Sequence, residues 1–235
     1  MSKTTTELKL LKYCVANLDL DQPDYFDSYY AAVPLCVFNS IFSINTKYEA
    51  VLNALERFCK EFELEVYASK KGKIPPIEEQ YSVSKIYNLI KDIPSAKLAS
   101  DIFKNRQRTS PTNGILKADA SVRFLKILKD FGIEYFQDIP RIINNETFDE
   151  CVKRIPGQRS GIALKYFFML TGSKDQIKPD RMILGFIKNA TGNKVSASEA
   201  LKYIQNVVKE LKAAGYKISS PRHLDNIIWN YQRFQ

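Results

Sequence analysis

Histidine is nearly absent from this sequence of 235 residues, in which His223 is the only one. A histidine-rich metal site is therefore excluded, and we also exclude a histidine-based catalytic triad. His223 lies just after a predicted helix start, where a surface or helix-packing role is favoured over catalysis. The four cysteines show neither metal-site spacing nor a paired framework, so we expect reduced structural thiols, no metal and no cofactor: Cys14, Cys36, Cys59 and Cys151.

The sequence also lacks any apolar run near the roughly 20 residues that span a bilayer. Its Ser/Thr/Lys-rich N-terminus has no apolar core of the kind found in secretion signals. We therefore expect an intracellular protein, in the cytoplasm, nucleoid or nucleus, with no membrane partner.

Alternating strand patterns are missing, and the apolar residues recur at a helical period. One apolar stripe runs from Tyr48 to Phe62, and another runs from Val122 to Phe131. Ser196 and Glu199 form a possible capping box, and Ser220-Pro221 predicts the start of the last helix. The sequence therefore predicts an all-α fold.

Basic residues outnumber acidic ones, 35 to 26, which gives a formal net charge of +9. Residues 153–194 hold nine Lys and Arg against two Asp, a local charge of +7. A second basic stretch comprises Lys97, Lys104, Arg106, Arg108, Lys117 and Arg123. Either stretch alone is equally well explained as a solvated surface. Their excess charge is typical of a protein with a polyanionic partner.

The most informative segment is IPGQRSGIALKYFFMLTGSKDQIKPD, which runs from Ile155 to Asp180. A Pro-Gly turn that opens into a helix leaves main-chain N–H groups free to bind phosphate oxygens. The turn can therefore hold a nucleic-acid backbone without any side chain.

This segment resembles the helix-hairpin-helix signature of the HhH-GPD superfamily of DNA glycosylases, of the endonuclease III and 3-methyladenine glycosylase II type. Ile155-Pro156-Gly157 matches the hairpin, and Gly161 falls where bifunctional members carry a lysine. Asp180 falls at the catalytic aspartate, and Lys178 to Ile183 is similar to the Pro-Asp-Asp segment of alkylpurine glycosylases. Arg159 replaces the second hairpin glycine. The iron–sulfur loop of some members is absent, since no cysteine follows Cys151.

The resemblance implies an enzyme that flips a modified base out of double-stranded DNA and hydrolyses its N-glycosidic bond. Asp180 would stabilise the positive charge that develops on the sugar, and a helix N-cap role for the same residue is compatible. Because Gly161 has no amine, a monofunctional enzyme is expected; Lys165, one helical turn further on, is a less favoured amine. The expected DNA-backbone contacts are Gly157, Gln158, Arg159, Ser160, Gly161, Arg154 and Lys165.

A weaker similarity covers Pro34 to Phe58, where Phe42 or Asn45 could act as a wedge that fills the gap left by the base. A core position is the favoured alternative for Phe42. Aromatic residues that could line a base pocket are Tyr29, Tyr30, Phe38, Tyr166 and Trp229. The Lys-Pro-Asp run and the attraction of cations to aromatic rings favour an alkylated purine as substrate.

The implied architecture is a monomer with two helical lobes and a DNA cleft between them. The central lobe would span residues 34–160, and the second lobe would combine residues 1–33 with residues 161–235, which carry Asp180. The first alternative is a helix-hairpin-helix protein that binds DNA without catalysis, and the second is a protein-interaction scaffold that uses the apolar helices. A carboxylate near phosphates favours an enzyme, because it repels the backbone and gives a pure binding protein no advantage.

Overall fold

The computed structural model describes residues 5–24 and 29–233, and the predicted all-α fold is confirmed. No strand occurs within these ranges; isolated antiparallel bridges pair Tyr30 with Tyr67 and Arg108 with Leu116. The helices are α1 Thr5–Asn17, α2 Val33–Phe42, α3 Tyr48–Glu61, α4 Val83–Ile90, α5 Ser95–Lys97, α6 Lys117–Asp130, α7 Glu146–Lys153, α8 Ile162–Leu170, α9 Arg181–Thr191, α10 Ala197–Ala213 and α11 Pro221–Arg233. A π-helical turn, Leu98–Ile102, extends α5, and 3-10 turns span Ile77–Glu79 and Phe136–Arg141.

The chain divides into two compact units, which we call the middle unit, residues 26–172, and the terminal unit, residues 1–25 with 173–235. This division differs from the expected boundary at residue 160, because α8 belongs to the middle unit. The reason is packing: the apolar face of α8, with Leu164, Phe167 and Phe168, is buried in the same core as α2.

The middle unit is built around α2, in which every residue is buried. Helices α6 and α8 both pack against it. Phe38 of α2 lies edge-on to Phe58 of α3, with ring centroids 4.6 Å apart, and Phe103 stacks on Phe58 at 5.2 Å. The stripes predicted for α3 and α6 face this core, as expected from their period.

The terminal unit packs α1, α9, α10 and α11 around a second apolar core. The predicted capping box at Ser196 and Glu199 is present, and α11 begins at Pro221 as predicted. Cys14 is buried in this core and Cys36 and Cys59 in the other, all as free thiols. Burial raises the pKa of each of the three, which makes them poor nucleophiles.

Neither a membrane-spanning helix nor a metal-binding cluster occurs in residues 5–24 and 29–233. None of the helices there has the length and apolarity needed to cross a membrane. The same ranges contain no group of three or more His, Cys, Asp or Glu side chains that could hold a metal ion.

Candidate nucleic-acid interface and catalytic carboxylate

The connection between α7 and α8 is a compact hairpin, residues 154–161. The amide of Gln158 donates to Ile155 O and that of Gly161 to Gln158 O, both at 2.9 Å. Gly157 and Gly161 have φ angles of 84° and 69°, in the left-handed region that favours glycine. The main-chain N–H groups of Arg159 and Ser160 donate to no acceptor in the described residues, so they are available to an anion.

The hairpin is hydrogen-bonded to residues 104–116, which belong to the second basic stretch and which we call the basic loop. The Thr109 hydroxyl donates to Pro156 O at 2.8 Å. A Cβ at Gly157 would lie only 2.4 Å from Thr109 Oγ1, so no larger residue fits without a shift. The contact joins segments that the sequence separates by more than 40 residues.

The basic loop is held by hydrogen bonds within it, and its charged side chains are all cationic. The amide of Thr109 donates to Ile115 O at 2.9 Å, and Arg108 Nε donates to Gly114 O at 2.9 Å. No acidic residue lies between Asp101 and Asp119. The exposed cations of this loop are Lys104, Arg106 and Arg108.

Lys117, counted with the second basic stretch, is not a surface residue: its side chain is 1% exposed. Its ammonium group donates to Phe42 O at 2.9 Å, to Ile44 O at 2.6 Å and to Thr46 Oγ1 at 2.6 Å. It also contacts Gln107 Oε1 at 2.7 Å. Burial lowers the pKa of Lys117 to about 8. The lysine thereby joins the turn after α2, residues 43–47, to the basic loop.

Three segments of the middle unit are therefore connected: the turn after α2, the basic loop and the hairpin. Asn45 lies in that turn, is exposed and has a φ of 49°. Phe42 is different, because it is fully buried with its ring 4.6 Å from Phe103. Of the two wedge candidates, Asn45 is exposed and Phe42 is not.

The hairpin residues that were expected to contact DNA differ in their exposure. Gln158, expected to contact the DNA backbone, is only 3% exposed, and its amide and carbonyl groups both form hydrogen bonds within the hairpin. Neither its side chain nor its main chain is open to a phosphate. Arg159 and Ser160 are exposed. Arg154 is also exposed, in a loose ion pair with Glu150 at 3.7 Å. Lys165 is half-buried, and burial and the charge of a nearby lysine, Lys153, lower its pKa.

Lys153 also belongs to this surface, although no motif in the sequence singles it out. A Cβ at Gly161 would lie 3.3 Å from Lys153 Cε, so the lysine side chain lies beside the hairpin. Its ammonium group is 3.6 Å from Asp149 Oδ2. The only available signal was the excess of basic residues around the hairpin.

Asp180 lies in the terminal unit, where it caps α9 as the sequence indicated. Its Oδ1 accepts a hydrogen bond from the amide of Met182 at 2.8 Å. Its Oδ2 is 3.7 Å from Lys178 Nζ, and 23% of the side chain is exposed. One carboxylate oxygen is thus committed to the helix, and the other faces a cation.

A second carboxyl group lies beside this pair. Asp225 of α11 is 4% exposed, and its Oδ1 accepts a hydrogen bond from the amide of Lys178 at 3.0 Å. Burial raises the pKa of Asp225 to about 8 and lowers the pKa of Lys178. Asp225 thus anchors the segment that precedes Asp180. The sequence offered no specific signal for it.

The remaining sequence candidates are distributed over both units. Tyr166 of α8 is buried in the middle unit. Trp229 of α11 is half-buried in the terminal unit, with Arg233 5.2 Å from its ring centroid. His223 is 2% exposed, and its Nδ1 accepts from the Ser219 amide at 3.1 Å, which agrees with the helix-packing role.

The arrangement defines an all-α protein with a basic hairpin surface in one unit and a helix-capping carboxylate in the other. The chain belongs to the DUF8548 family, described as a domain of unknown function, whose family model matches residues 8–233. No curated protein and no solved structure matches the chain.

Proposed function

We propose that the protein is a DNA glycosylase of base excision repair, which extrudes a modified base and hydrolyses its N-glycosidic bond. The proposal rests on the environment of Asp180. This carboxylate follows the hairpin residue Gly161 by 19 positions, is held by the first turn of α9 and keeps Oδ2 partly exposed beside Lys178.

Each part of the reaction has a group to perform it. The free amides of Arg159 and Ser160 bind phosphate oxygens, and exposed cations on the hairpin and basic loop add attraction to the DNA backbone. Asn45 fills the gap that the extruded base leaves. Asp180 stabilises positive charge as the glycosidic bond breaks, and it orients the attacking water.

The product is an abasic site, because Gly161 offers no amine for attack on the sugar. Lys165 is the alternative amine, and its pKa is lowered by burial, the direction that such a nucleophile needs. Strand nicking that is lost in Lys165→Met, with base release retained, would assign a lyase step to this residue. We expect base release without nicking.

The second candidate function is DNA binding without catalysis. It is favoured by the fact that the hairpin, the basic loop and the Asn45 turn all belong to the middle unit, whereas Asp180 belongs to the other. In addition, both carboxylate oxygens of Asp180 already have partners in the fold: Oδ1 caps α9, and Oδ2 forms an ion pair with Lys178.

Mass-spectrometric detection of released bases separates the two functions. Duplex DNA is alkylated, deaminated or oxidised in separate pools and incubated with the wild type or with Asp180→Asn. Asparagine is as good an N-cap as aspartate, so the substitution removes the charge and keeps α9 capped. Release from one pool by the wild type alone supports the glycosylase, and salt-sensitive DNA binding without release from any pool supports the binding protein.

A further inference from the structure

The turn after α2, residues 43–47, has few main-chain hydrogen bonds once the chain leaves the helix. The N–H groups of Asn45, Thr46 and Lys47 donate to no acceptor in residues 5–24 and 29–233. Asn45 also has a φ of 49°, in the left-handed region that few residues other than glycine and asparagine adopt. The main-chain hydrogen bonds of the turn therefore do not explain how it keeps this conformation.

Contacts with Lys117 and Gln107 hold the turn instead. The Lys117 ammonium group donates to Phe42 O, Ile44 O and Thr46 Oγ1. The Thr46 hydroxyl lies 2.6 Å from Gln107 Oε1 and donates to it. None of these partners carries a charge, and a charged donor makes stronger hydrogen bonds than a neutral one. A buried cation thus fixes the main chain on both sides of Asn45.

The same lysine also holds the basic loop. Its main-chain amide donates to Gln107 O at 2.9 Å, and its ammonium group donates to Gln107 Oε1 at 2.7 Å. Gln107 lies between two exposed cations of the loop, Arg106 and Arg108. A displacement of the loop by a bound phosphate would therefore be transmitted through Lys117 to the turn that carries Asn45.

A residue that enters a duplex needs such a connection. Extruding a base costs stacking and pairing energy, which the protein supplies from its contacts with the DNA backbone. A turn without main-chain hydrogen bonds would yield under this load unless it is joined to the segment that binds the phosphates. Lys117 makes this joint from inside the protein, because it is buried.

We propose that Lys117 is a positioning residue, which fixes Asn45 relative to the basic loop so that phosphate binding by the loop inserts Asn45 into the duplex. The inference rests on the proposed function, since it requires that a base be extruded. It adds a residue that acts through Asn45 and touches neither the DNA nor the reacting atoms.

The test separates distortion of the duplex from affinity for it. The probe is a duplex with a tetrahydrofuran abasic analogue in one strand and 2-aminopurine opposite the gap, so the identity of the excised base does not matter. Emission from 2-aminopurine rises when this base is unstacked, and the anisotropy of a terminal fluorescein reports binding. We expect saturating wild type to raise the emission. Asn45→Gly should lose most of the increase, because glycine tolerates the φ angle and removes the side chain.

Lys117→Met and Gln107→Ala both break the connection between turn and loop. Each should lose about half of the emission increase or more, while affinity falls by less than about threefold because the phosphate-binding cations remain. Gln107 is exposed, so its variant keeps the test valid if Lys117→Met does not fold.

Gln137→Ala is the matched control. Gln137 is also an exposed glutamine of the middle unit, and its side chain forms hydrogen bonds with Pro75 O at 2.9 Å and Gln80 Nε2 at 2.8 Å. This variant should keep the full emission increase and the wild-type affinity.

The full emission increase in Gln107→Ala and in any folded Lys117→Met overturns the proposal. A loss of emission that parallels a loss of affinity also overturns it, because the two residues would then only support the fold. Base release by a wild type that leaves the emission unchanged overturns the proposal and leaves the glycosylase standing. The expected split between emission and affinity, with no base released from any pool, supports the positioning role and contradicts the glycosylase.

Discussion

The helix cap made by Asp180 and its proposed catalytic role are compatible, since a carboxylate that caps a helix uses one oxygen for the amide and keeps the other for a second partner. Met182 takes Oδ1, and Oδ2 faces Lys178 at 3.7 Å. The cap also fixes the orientation of the carboxylate, which a residue acting on a developing charge needs. Asp225 adds rigidity by binding the main chain of Lys178.

Replacing Lys117 should disturb the candidate interface from within, because this residue is buried beneath the segments that it joins. Lys117→Met leaves Phe42 O and Ile44 O without their donor. A buried acceptor left unpaired costs about 1–3 kcal/mol, so we expect the free energy of unfolding to fall by about 2–4 kcal/mol. Urea denaturation of both proteins at neutral pH measures the loss. An unchanged midpoint would contradict the assigned hydrogen bonds.

The same residue predicts a pH dependence. The Lys117 pKa is about 8 in the folded chain and near 10.5 when unperturbed, so between these values the unfolded chain binds more protons. Wild-type stability should therefore gain from this residue as pH rises through that window, by up to about 3 kcal/mol. The raised pKa values of buried cysteines and tyrosines lower stability as pH rises, and they do so both in the wild type and in Lys117→Met. The wild-type advantage over Lys117→Met should widen from pH 8 to 10.5, and a constant difference would contradict the lowered pKa.

At the scale of elements, the helices were predictable because each carries its own signal. The stripe from Tyr48 to Phe62 became α3, and the Ser196 capping box and Ser220-Pro221 fixed the starts of α10 and α11. The contacts that join the segments of the candidate interface were not predictable. Thr109 meets the hairpin across 47 residues, and Lys117 reaches Phe42 across 75. No local pattern encodes such distant pairs.

Gly157 tests whether hairpin geometry determines DNA binding. In Gly157→Ala a methyl group must enter the space of Thr109 at a φ of 84°, so we expect both strain and a displaced hairpin. DNA affinity should fall at least tenfold, as measured by fluorescence anisotropy on a duplex. Gly215→Ala is the matched control, because its φ is 89° but nothing lies within 4 Å of its Cβ. It should be destabilised by about 1 kcal/mol at constant DNA affinity. Equal affinities in the two variants would exclude the hairpin from the interface.

Arg106 tests the basic loop. It is exposed, and Arg106→Gln should remove one phosphate contact. The slope of log K against log salt concentration should then become shallower by about 0.9. Lys126→Gln is the control, because Lys126 is also exposed but pairs with Asp130 at 2.7 Å. If both variants keep the wild-type slope, the loop does not contact the DNA backbone.

For the whole molecule, the expected all-α fold class was confirmed. The middle unit ends at residue 172, whereas the expected central lobe ended at residue 160. Charge and the Pro-Gly motif identified the hairpin region, but they gave no reason to assign α8 to the middle unit. That assignment follows from the burial of Leu164, Phe167 and Phe168 in the core around α2. A hydrophobic period shows which face of a helix is buried, not which core receives it.

We propose that the middle unit binds DNA and that Asp180 supports cleavage of the glycosidic bond. Base release and DNA affinity should therefore respond separately to the charge of Asp180. We would measure both for wild type and Asp180→Asn on the same alkylated duplex, under single-turnover conditions. We expect the variant to lose base release at least a hundredfold and to bind DNA as tightly as the wild type or more tightly. Base release at the wild-type rate, or parallel loss of release and affinity, would contradict it.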